Sequence, residues 1–510
     1  MVAADLRPPG GPTEPVPPTA PGDLTPIRIV LAVAAIKVLL TLAFSGRYGF
    51  HRDELYYLAS GQHLSWGYVD FPPFTPLLAL ADHALLGTSL VGLRVLPILA
   101  GGAVVALASL IARELGGGRF AQILAAVLTA ASPLYLGANL LFQTVTFEQL
   151  WMAVAFFLIA RLLRTDDPRL WLLVGLVLGL GLMTKYTVLD VGLGIAVGVI
   201  LTRARHHLAT PWPWLAAGIA LAMLVPNLVW QAQHGWPTLQ YLQNHQADNR
   251  REFPLPVFLT QTLLFIGPLV VPVFVAGVYY LFRAARYRML GWTVLVVLLT
   301  LLGLGGKTYY LGPVYVLLYA AGGVQVEDTI RRRLSRRWVL AALGAAVAID
   351  LLPLPIGIPI LPEATMAQTP LWQIRSDYAD MVGWPELVTA VGNAWSAIPA
   401  ADQKNTVIVT ENYGEAGAID FLSGTSGLPH ALSGHLTYYF WKPPHVDAAQ
   451  VLAVGFDYDF LAAHFGSVVQ VGNLSNHDGI RNQEYGRKIY LCTLPRNSLD
   501  AMWPGFKQFR

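Results

Sequence analysis

Apolar runs of about 20 residues, the length needed to cross a hydrocarbon core, recur from residue 27 to about residue 361. Candidate spans lie at 27–45, 90–112, 120–138, 144–163, 170–183, 188–202, 212–230, 256–282, 290–304, 309–325 and 338–360, which makes about eleven crossings on the length rule. The composition agrees: 55% of the 510 residues are hydrophobic and only 13% are charged, far from a soluble average. The chain reads as a polytopic α-helical membrane protein.

Charges between the runs predict sidedness. One set of alternate loops carries Arg113 and Arg119, then Arg161, Arg164 and Arg169, Arg203 and Arg205, Arg283, Arg286 and Arg288, and a final cluster at 331–337. The opposite loops carry far fewer cations, mainly Arg47, Arg52, Lys185, Arg250, Arg251 and Lys307. Arginine and lysine concentrate in cytoplasmic loops. The expectation is a multi-pass protein of the cell membrane with a cytoplasmic N-terminus and an extracytoplasmic C-terminal domain. A net charge of +3 is too small to argue for a nucleic-acid partner, and the single cysteine, Cys492, excludes an intrachain disulfide and a thiolate metal cluster.

Three regions follow. Residues 1–26 are rich in Pro and Gly without apolar periodicity and read as a disordered cytoplasmic tail. Residues 27–361 form the transmembrane domain, and residues 362–510 read as a soluble extracytoplasmic α/β domain. In the latter, TVIVT at 406–410 and KIYLCT at 488–493 look like strands, 385–398 like an amphipathic helix, and 451–471 like strand, helix, strand. The segment 71–86, broken by Pro72, Pro73 and Pro76, and the segment 231–254 read as interfacial pieces that could roof a cavity at the outer leaflet.

Chemistry is expected in the loop after the first span, GFHRDELYYLASGQHLSWGYVDFPPFTP, where Asp53 and Glu54 form an acidic pair among Tyr, Trp and His. A base on an external loop pinned by a helix can meet the proton of a bound hydroxyl; the plainer reading is a pair of charges marking a helix exit. Asp70, the second acid of this loop, reads as a cap for the proline-broken segment or as a substrate contact. Glu148 lies at the edge of an apolar span, where a carboxylate is costly and points to function unless it merely reaches interfacial water. Lysines are scarce, so Lys185 in LMTKYT and Lys307 in GGKTYYLGP, the latter beside Tyr309, stand out; with Arg94 in GLRVLP they could hold a lipid-borne phosphate. Each could instead anchor a helix end to headgroups. Lys37, inside the first span, could snorkel. In the C-terminal domain, ENYGEAGAI at 411–419 could be a ligand-approaching turn or simple structure, and the segment from Ser433 to Trp441 a carbohydrate-facing patch or the seam against the membrane domain.

HRDELYYL, GYVDFPPFTPLL and GLRVLPILAG, with GLGLMTKYT and KTYYLGPVY further on, resemble the type C glycosyltransferases related to protein mannosyltransferases and bacterial aminoarabinose transferases. The resemblance implies a membrane enzyme that takes a sugar from a polyprenyl phosphate at the outer face. It places the family's acidic motif on Asp53 and Glu54, its arginine near the second span on Arg94, and its later acid on Glu148. Where the aminoarabinose transferases carry a phosphate-contacting lysine, this chain has DFPP; that departure leaves the phosphate ligands open and weakens the assignment of Lys185 and Lys307, which with Arg94 are the cationic candidates. The C-terminal domain lies outside the resemblance.

The expected reaction is inverting transfer of mannose or a related sugar from a polyprenyl-phosphate donor to a hydroxyl of a lipid, protein or glycan acceptor. Asp53 would be the general base, while Glu54 would position the acceptor or a divalent cation. No residue is assigned as a metal ligand; the residues fix no cofactor, and a divalent cation stays open because one acidic pair does not reveal a metal requirement. Membrane lipids are the other expected partners. The alternatives are a transporter or flippase of a lipid-linked sugar and a structural subunit whose soluble domain does the work; the acids gather at one face and no internal repeat is evident, which favours the enzyme.

Overall fold

The computed structural model describes residues 25–332, 336–424 and 427–510. The tail expected at 1–26 falls outside the described residues except for its last two positions. The membrane half comprises α1 (Thr25–Phe44), α2 (Arg52–Gln62), α3 (Phe74–Leu86), α4 (Leu90–Glu114), α5 (Arg119–Ala131), α6 (Pro133–Ala138), α7 (Thr144–Thr165), α8 (Leu170–Leu182) and α9 (Val188–Leu201). It continues with α10 (Trp212–Gln233), α11 (Pro237–Glu252), α12 (Leu255–Ile266), α13 (Val271–Arg283), α14 (Arg288–Leu304), α15 (Gly312–Arg332) and α16 (Arg336–Asp350).

Helices occupy the expected places, but the expected count of crossings does not follow from their lengths. Among the described residues, four helices are long and apolar enough to cross a membrane, namely α1, α4, α7 and α10; counting the bent pair α12 and α13 as one span makes five. The expected spans at 170–183, 188–202 and 290–304 are apolar helices of 13, 14 and 17 residues. At 1.5 Å per residue these reach about 20–25 Å, short of a core of about 30 Å. The expected span at 256–282 is bent by 87°. Gly267 at the break has φ 101°, Pro268 removes a donor, and Asp350 accepts from the freed Leu269 and Val270 N–H groups at 3.1 and 3.2 Å. The expected span at 120–138 likewise breaks, at Ser132 before Pro133.

Small residues let the helices close on one another. Gly175 and Gly179 on α8 abut Ala216 and Ala220 of α10, and Gly194 and Gly198 on α9 abut Thr293 and Met289 of α14. Both pairs have the four-residue spacing that keeps small side chains on one helix face, so backbones approach where a Cβ would collide. Lys37 does not snorkel: it is buried, with Nζ donating to Asn139 Oδ1 at 2.6 Å.

The C-terminal domain has β1 (Thr406–Thr410), β2 (Leu432–Ser433), β3 (Gln450–Val454), β4 (Phe465–Asn473) and β5 (Lys488–Pro495), in the order β2-β1-β3-β5-β4. The β1 strand pairs parallel with β2 and β3, whereas β5 runs antiparallel to β3 and β4. Its main helices are α17 (Trp384–Ser396), α18 (Tyr413–Leu422) and α19 (Tyr458–His464). The change in composition at residue 362 is not a break in packing. Leu55, Tyr56, Tyr57 and Leu58 of α2 share one buried cluster with Trp384, Val391, Ile408, Ala416 and Ile489. Gly417 faces α2 so closely that a Cβ there would lie 2.8 Å from Leu55 Cβ, which identifies the glycines of ENYGEAGAI as packing positions.

Candidate active site

The α2 helix begins with a capping box. Its N-cap His51 accepts from the Asp53 N–H through Nδ1 at 3.2 Å, and Glu54 accepts from the His51 N–H at 2.9 Å. This start aims two neighbouring acids in different directions. Glu54 points inward and is fully buried. It accepts from Arg94 Nε at 2.9 Å and Nη2 at 2.7 Å, and from the Phe142 N–H at 3.0 Å. Arg94, equally buried, also donates to the carbonyls of Ser45 at 2.5 Å and Gly49 at 3.0 Å. One ion pair thus ties the end of α1, the loop after it, α2, α4 and the approach to α7.

In this arrangement Glu54 has its lone pairs occupied by protein donors and no exposed surface, and the Arg94 guanidinium is enclosed by protein acceptors.

Asp53 points the other way, and its side chain keeps 34% of its surface exposed. Tyr413 of α18 donates to its Oδ1 at 2.7 Å, and the Tyr413 ring stacks on Tyr56 at 4.6 Å between centroids. Tyr56 in turn donates to Asp70 Oδ1 at 3.0 Å and sits 2.6 Å from Thr437 Oγ1. Asp70 is therefore not the cap of α3, whose N-cap is Pro73 with no side-chain hydrogen bond. Burial pushes the Asp70 carboxyl up to about 8, the Tyr56 hydroxyl opposes that rise, and the Asp53 charge adds to it. That shift favours the protonated form of Asp70 at neutral pH.

A second cluster faces the first. Glu148, one turn into α7, is buried, accepts from the Thr187 hydroxyl and lies 3.6 Å from Lys185 Nζ. Lys185 Nζ lies 4.3 Å from the centre of the Tyr310 ring and 5.0 Å from that of Tyr309, both in the 3-10 turn Thr308–Leu311. Lys307, next to that turn, is half-buried and acts electrostatically on Lys185; its carbonyl accepts from the Tyr310 N–H, while its ammonium has no hydrogen bond or ion pair among the described residues. The clusters share one neighbourhood: Tyr309 feels Asp53 and Tyr241, Tyr310 feels Glu148 and Asp70, and Tyr241 feels Asp70, Tyr310, Asp53 and Tyr57. A partly exposed carboxylate, a carboxyl shifted toward its protonated form, two lysines and several tyrosines thus lie within electrostatic reach of one another. Such a set can deprotonate a hydroxyl and hold an anion.

The family described as dolichyl-phosphate-mannose-protein mannosyltransferase matches residues 70–230. A lipid A galacturonosyltransferase, RgtD, of Rhizobium johnstonii is 28% identical over 272 residues, 51% of this chain and 56% of that protein, so the chain matches about half the length of this curated relative. The apo structure of ArnT from Cupriavidus metallidurans superposes with a TM-score of 0.56 at 15% identity, covering 91% of this chain and 97% of that one. The apo Archaeoglobus fulgidus oligosaccharyltransferase follows at 0.51 and 13% identity, covering 84% and 70%. The chain therefore has the type C glycosyltransferase fold of ArnT, and residues 70–230 match a family of that kind. The family match spans Asp70, Arg94, Glu148 and Lys185 and leaves Asp53 and Lys307 outside.

Within this type C fold the structure brings together Asp53, Asp70, Glu148, Lys185, Lys307 and Tyr309 and sets Glu54 and Arg94 apart. Sequence reasoning missed Tyr413 and Thr437, which reach the site from the C-terminal domain across 360 and 381 positions from their partners. No local pattern reports such a pairing; the presence of Tyr413 in a glycine-bearing turn was the one available signal. The segment from Ser433 to Trp441 proves to be the seam: Trp441 stacks on His63 at 4.5 Å and Tyr438 on Tyr56 at 6.3 Å.

Proposed function

We propose that the protein transfers a sugar, mannose or a related hexose or pentose, from a polyprenyl phosphate to an acceptor hydroxyl at the outer face of the membrane, with inversion. Asp53 removes the hydroxyl proton, the acceptor oxygen attacks the anomeric carbon, and the bond from that carbon to the phosphate oxygen breaks. Polyprenyl phosphate leaves with the electron pair. Because phosphate is a good leaving group, the protein's task is to deprotonate the acceptor, align the partners and neutralise the departing charge. Lys185 and Lys307 are placed for that charge, with Tyr309 and Tyr310 holding Lys185 in position. Glu148 orients Lys185 from behind, and protonated Asp70 can donate a hydrogen bond to the sugar.

The observation that carries this reading is the sorting of two adjacent acids: Glu54 is enclosed while Asp53 faces the cluster with 34% of its side chain exposed. The relatives support the donor class, since one transfers galacturonic acid to lipid A and an ArnT structure holds undecaprenyl phosphate. A lipid acceptor is accordingly the first to test, and the extracytoplasmic C-terminal domain, which supplies Tyr413, is the place for acceptor selection. The test is release of polyprenyl phosphate by purified protein in lipid from mannosyl, galacturonosyl and aminoarabinosyl donors, comparing wild type with Asp53→Asn. Release that depends on Asp53 supports the reading. Donor that crosses the bilayer unconsumed would replace it with the transporter.

A further inference from the structure

The opposite end of α7 carries a cluster that the proposed reaction does not use. Asp166, the residue that ends this helix in a left-handed conformation, extends its carboxylate toward His206 and His207 in the 3-10 helix Arg203–Ala209 that follows α9. His206 Nε2 lies 3.0 Å and His207 Nε2 3.5 Å from the same Asp166 Oδ1, and one ligand atom from each residue lies within 4.8 Å of the others. His206 Nδ1 is 2.7 Å from the Arg203 carbonyl. That contact makes Nδ1 the protonated nitrogen and turns the Nε2 lone pair toward the cluster, the arrangement that a carbonyl imposes on metal-binding imidazoles.

A plain ion pair accounts for half of this. If His206 carried both protons, its Nε2–H would satisfy Asp166. His207 cannot share that solution: the ring centres are 4.1 Å apart, and two imidazolium charges at that separation repel. Yet the His207 side chain is 2% exposed, and its Nε2 has no hydrogen-bond partner although it aims at the carboxylate. A buried nitrogen left unpaired is costly. A cation between the three residues satisfies all of them at once. With bonds of about 2.0–2.1 Å, a tetrahedral ion sets neighbouring ligand atoms about 3.3 Å apart, between the two contacts observed.

We propose that Asp166, His206 and His207 bind a divalent late transition-metal ion of the zinc class, with water in the remaining position. Two imidazoles and one carboxylate suit zinc, cobalt or nickel and do not suit magnesium or calcium, which take oxygen ligands. Asp166 is 68% exposed on its side chain, which leaves the water position open to solvent. The ion joins the end of α7 to the end of α9, the two helices whose other ends meet at the Glu148 to Thr187 contact. Its role is to lock those two helix ends together on the arginine-rich face.

The experiment uses the full chain in detergent, without a histidine tag. Wild type is compared with Asp166→Asn and His206→Ala, both at exposed positions. Wild type is expected to take up one equivalent of Co2+ with the visible bands of tetrahedral ligation, displaced by Zn2+ and not by Mg2+. Zn2+ is expected to raise its unfolding midpoint. Each variant is expected to lose the bands and at least about tenfold in Zn2+ affinity, while melting like metal-free wild type. Absence of the bands in wild type, or the same bands and affinity in all three proteins, would overturn the assignment.

Discussion

Glu54 with Arg94 and Glu148 with Lys185 are both carboxylate–cation pairs, yet they are built to opposite ends. In the first, the fork of the guanidinium meets both carboxylate oxygens at 2.9 and 2.7 Å, and backbone groups complete both partners. In the second, the ammonium stands 3.6 Å from Glu148, over two aromatic faces, and Glu148 Oε2 lacks a hydrogen bond. A saturated pair holds helices together; an incompletely satisfied pair keeps capacity for a ligand. Charge in a membrane protein is therefore better judged by what remains unsatisfied than by residue type.

The strongest way to break this comparison is to exchange the roles of the two adjacent acids. Asp53→Asn is expected to lower turnover about 10²- to 10⁴-fold, the usual contribution of a general base, with an unchanged unfolding midpoint. Single-turnover assay and thermal unfolding together check it. Glu54→Gln should do the reverse in kind: it leaves Arg94 buried without its charge partner and should cost about 3–5 kcal/mol of stability, read by denaturant or thermal unfolding in detergent. Retained stability in Glu54→Gln with lost turnover would return Glu54 to the catalytic group.

Smaller effects sharpen the second pair. Lys185→Met should lower kcat/KM for the donor about 10- to 100-fold, in the range of losing a hydrogen bond to a charged group, and Lys185→Arg should retain part of it. Tyr413→Phe removes the 2.7 Å hydrogen bond to Asp53. A loss of about 1 kcal/mol, roughly fivefold in turnover, is expected, measured beside wild type at saturating donor. Asp70→Asn tests the site electrostatically. The Asp70 carboxyl binds its proton up to about pH 8 in the folded protein, against about 3.9 in an unfolded chain. Between those values the folded state holds the extra proton, so stability falls as pH rises and levels off above about 8. The Asn variant lacks that fall, so its unfolding midpoint should gain on wild type from pH 5 to 8.

Much of this was legible beforehand. TVIVT became β1 with its predicted bounds, and 144–163 became α7 to within a few residues, because alternation and long apolar runs are local signals. The breaks at Gly267 and Ser132 were harder, since a glycine or serine before proline is tolerated in many spans and only neighbours decide whether the chain bends. At the site, the sequence points to the loop but does not tell its two adjacent acids apart. Asp53 and Glu54 are indistinguishable by composition, and Arg94 looks like a phosphate ligand until its acceptors are counted.

The sequence by itself determined that this chain lives in a membrane, where its helices lie, and that its acids and scarce lysines collect in a few loops. Those properties depend on hydropathy and charge read over tens of residues. Only the tertiary structure decided which of two adjacent acids is enclosed, that Tyr413 reaches Asp53 from the far end of the chain, and that Lys185 faces Glu148 over two tyrosines. Burial and hydrogen-bond saturation arise from groups tens to hundreds of residues apart, and no local pattern encodes them.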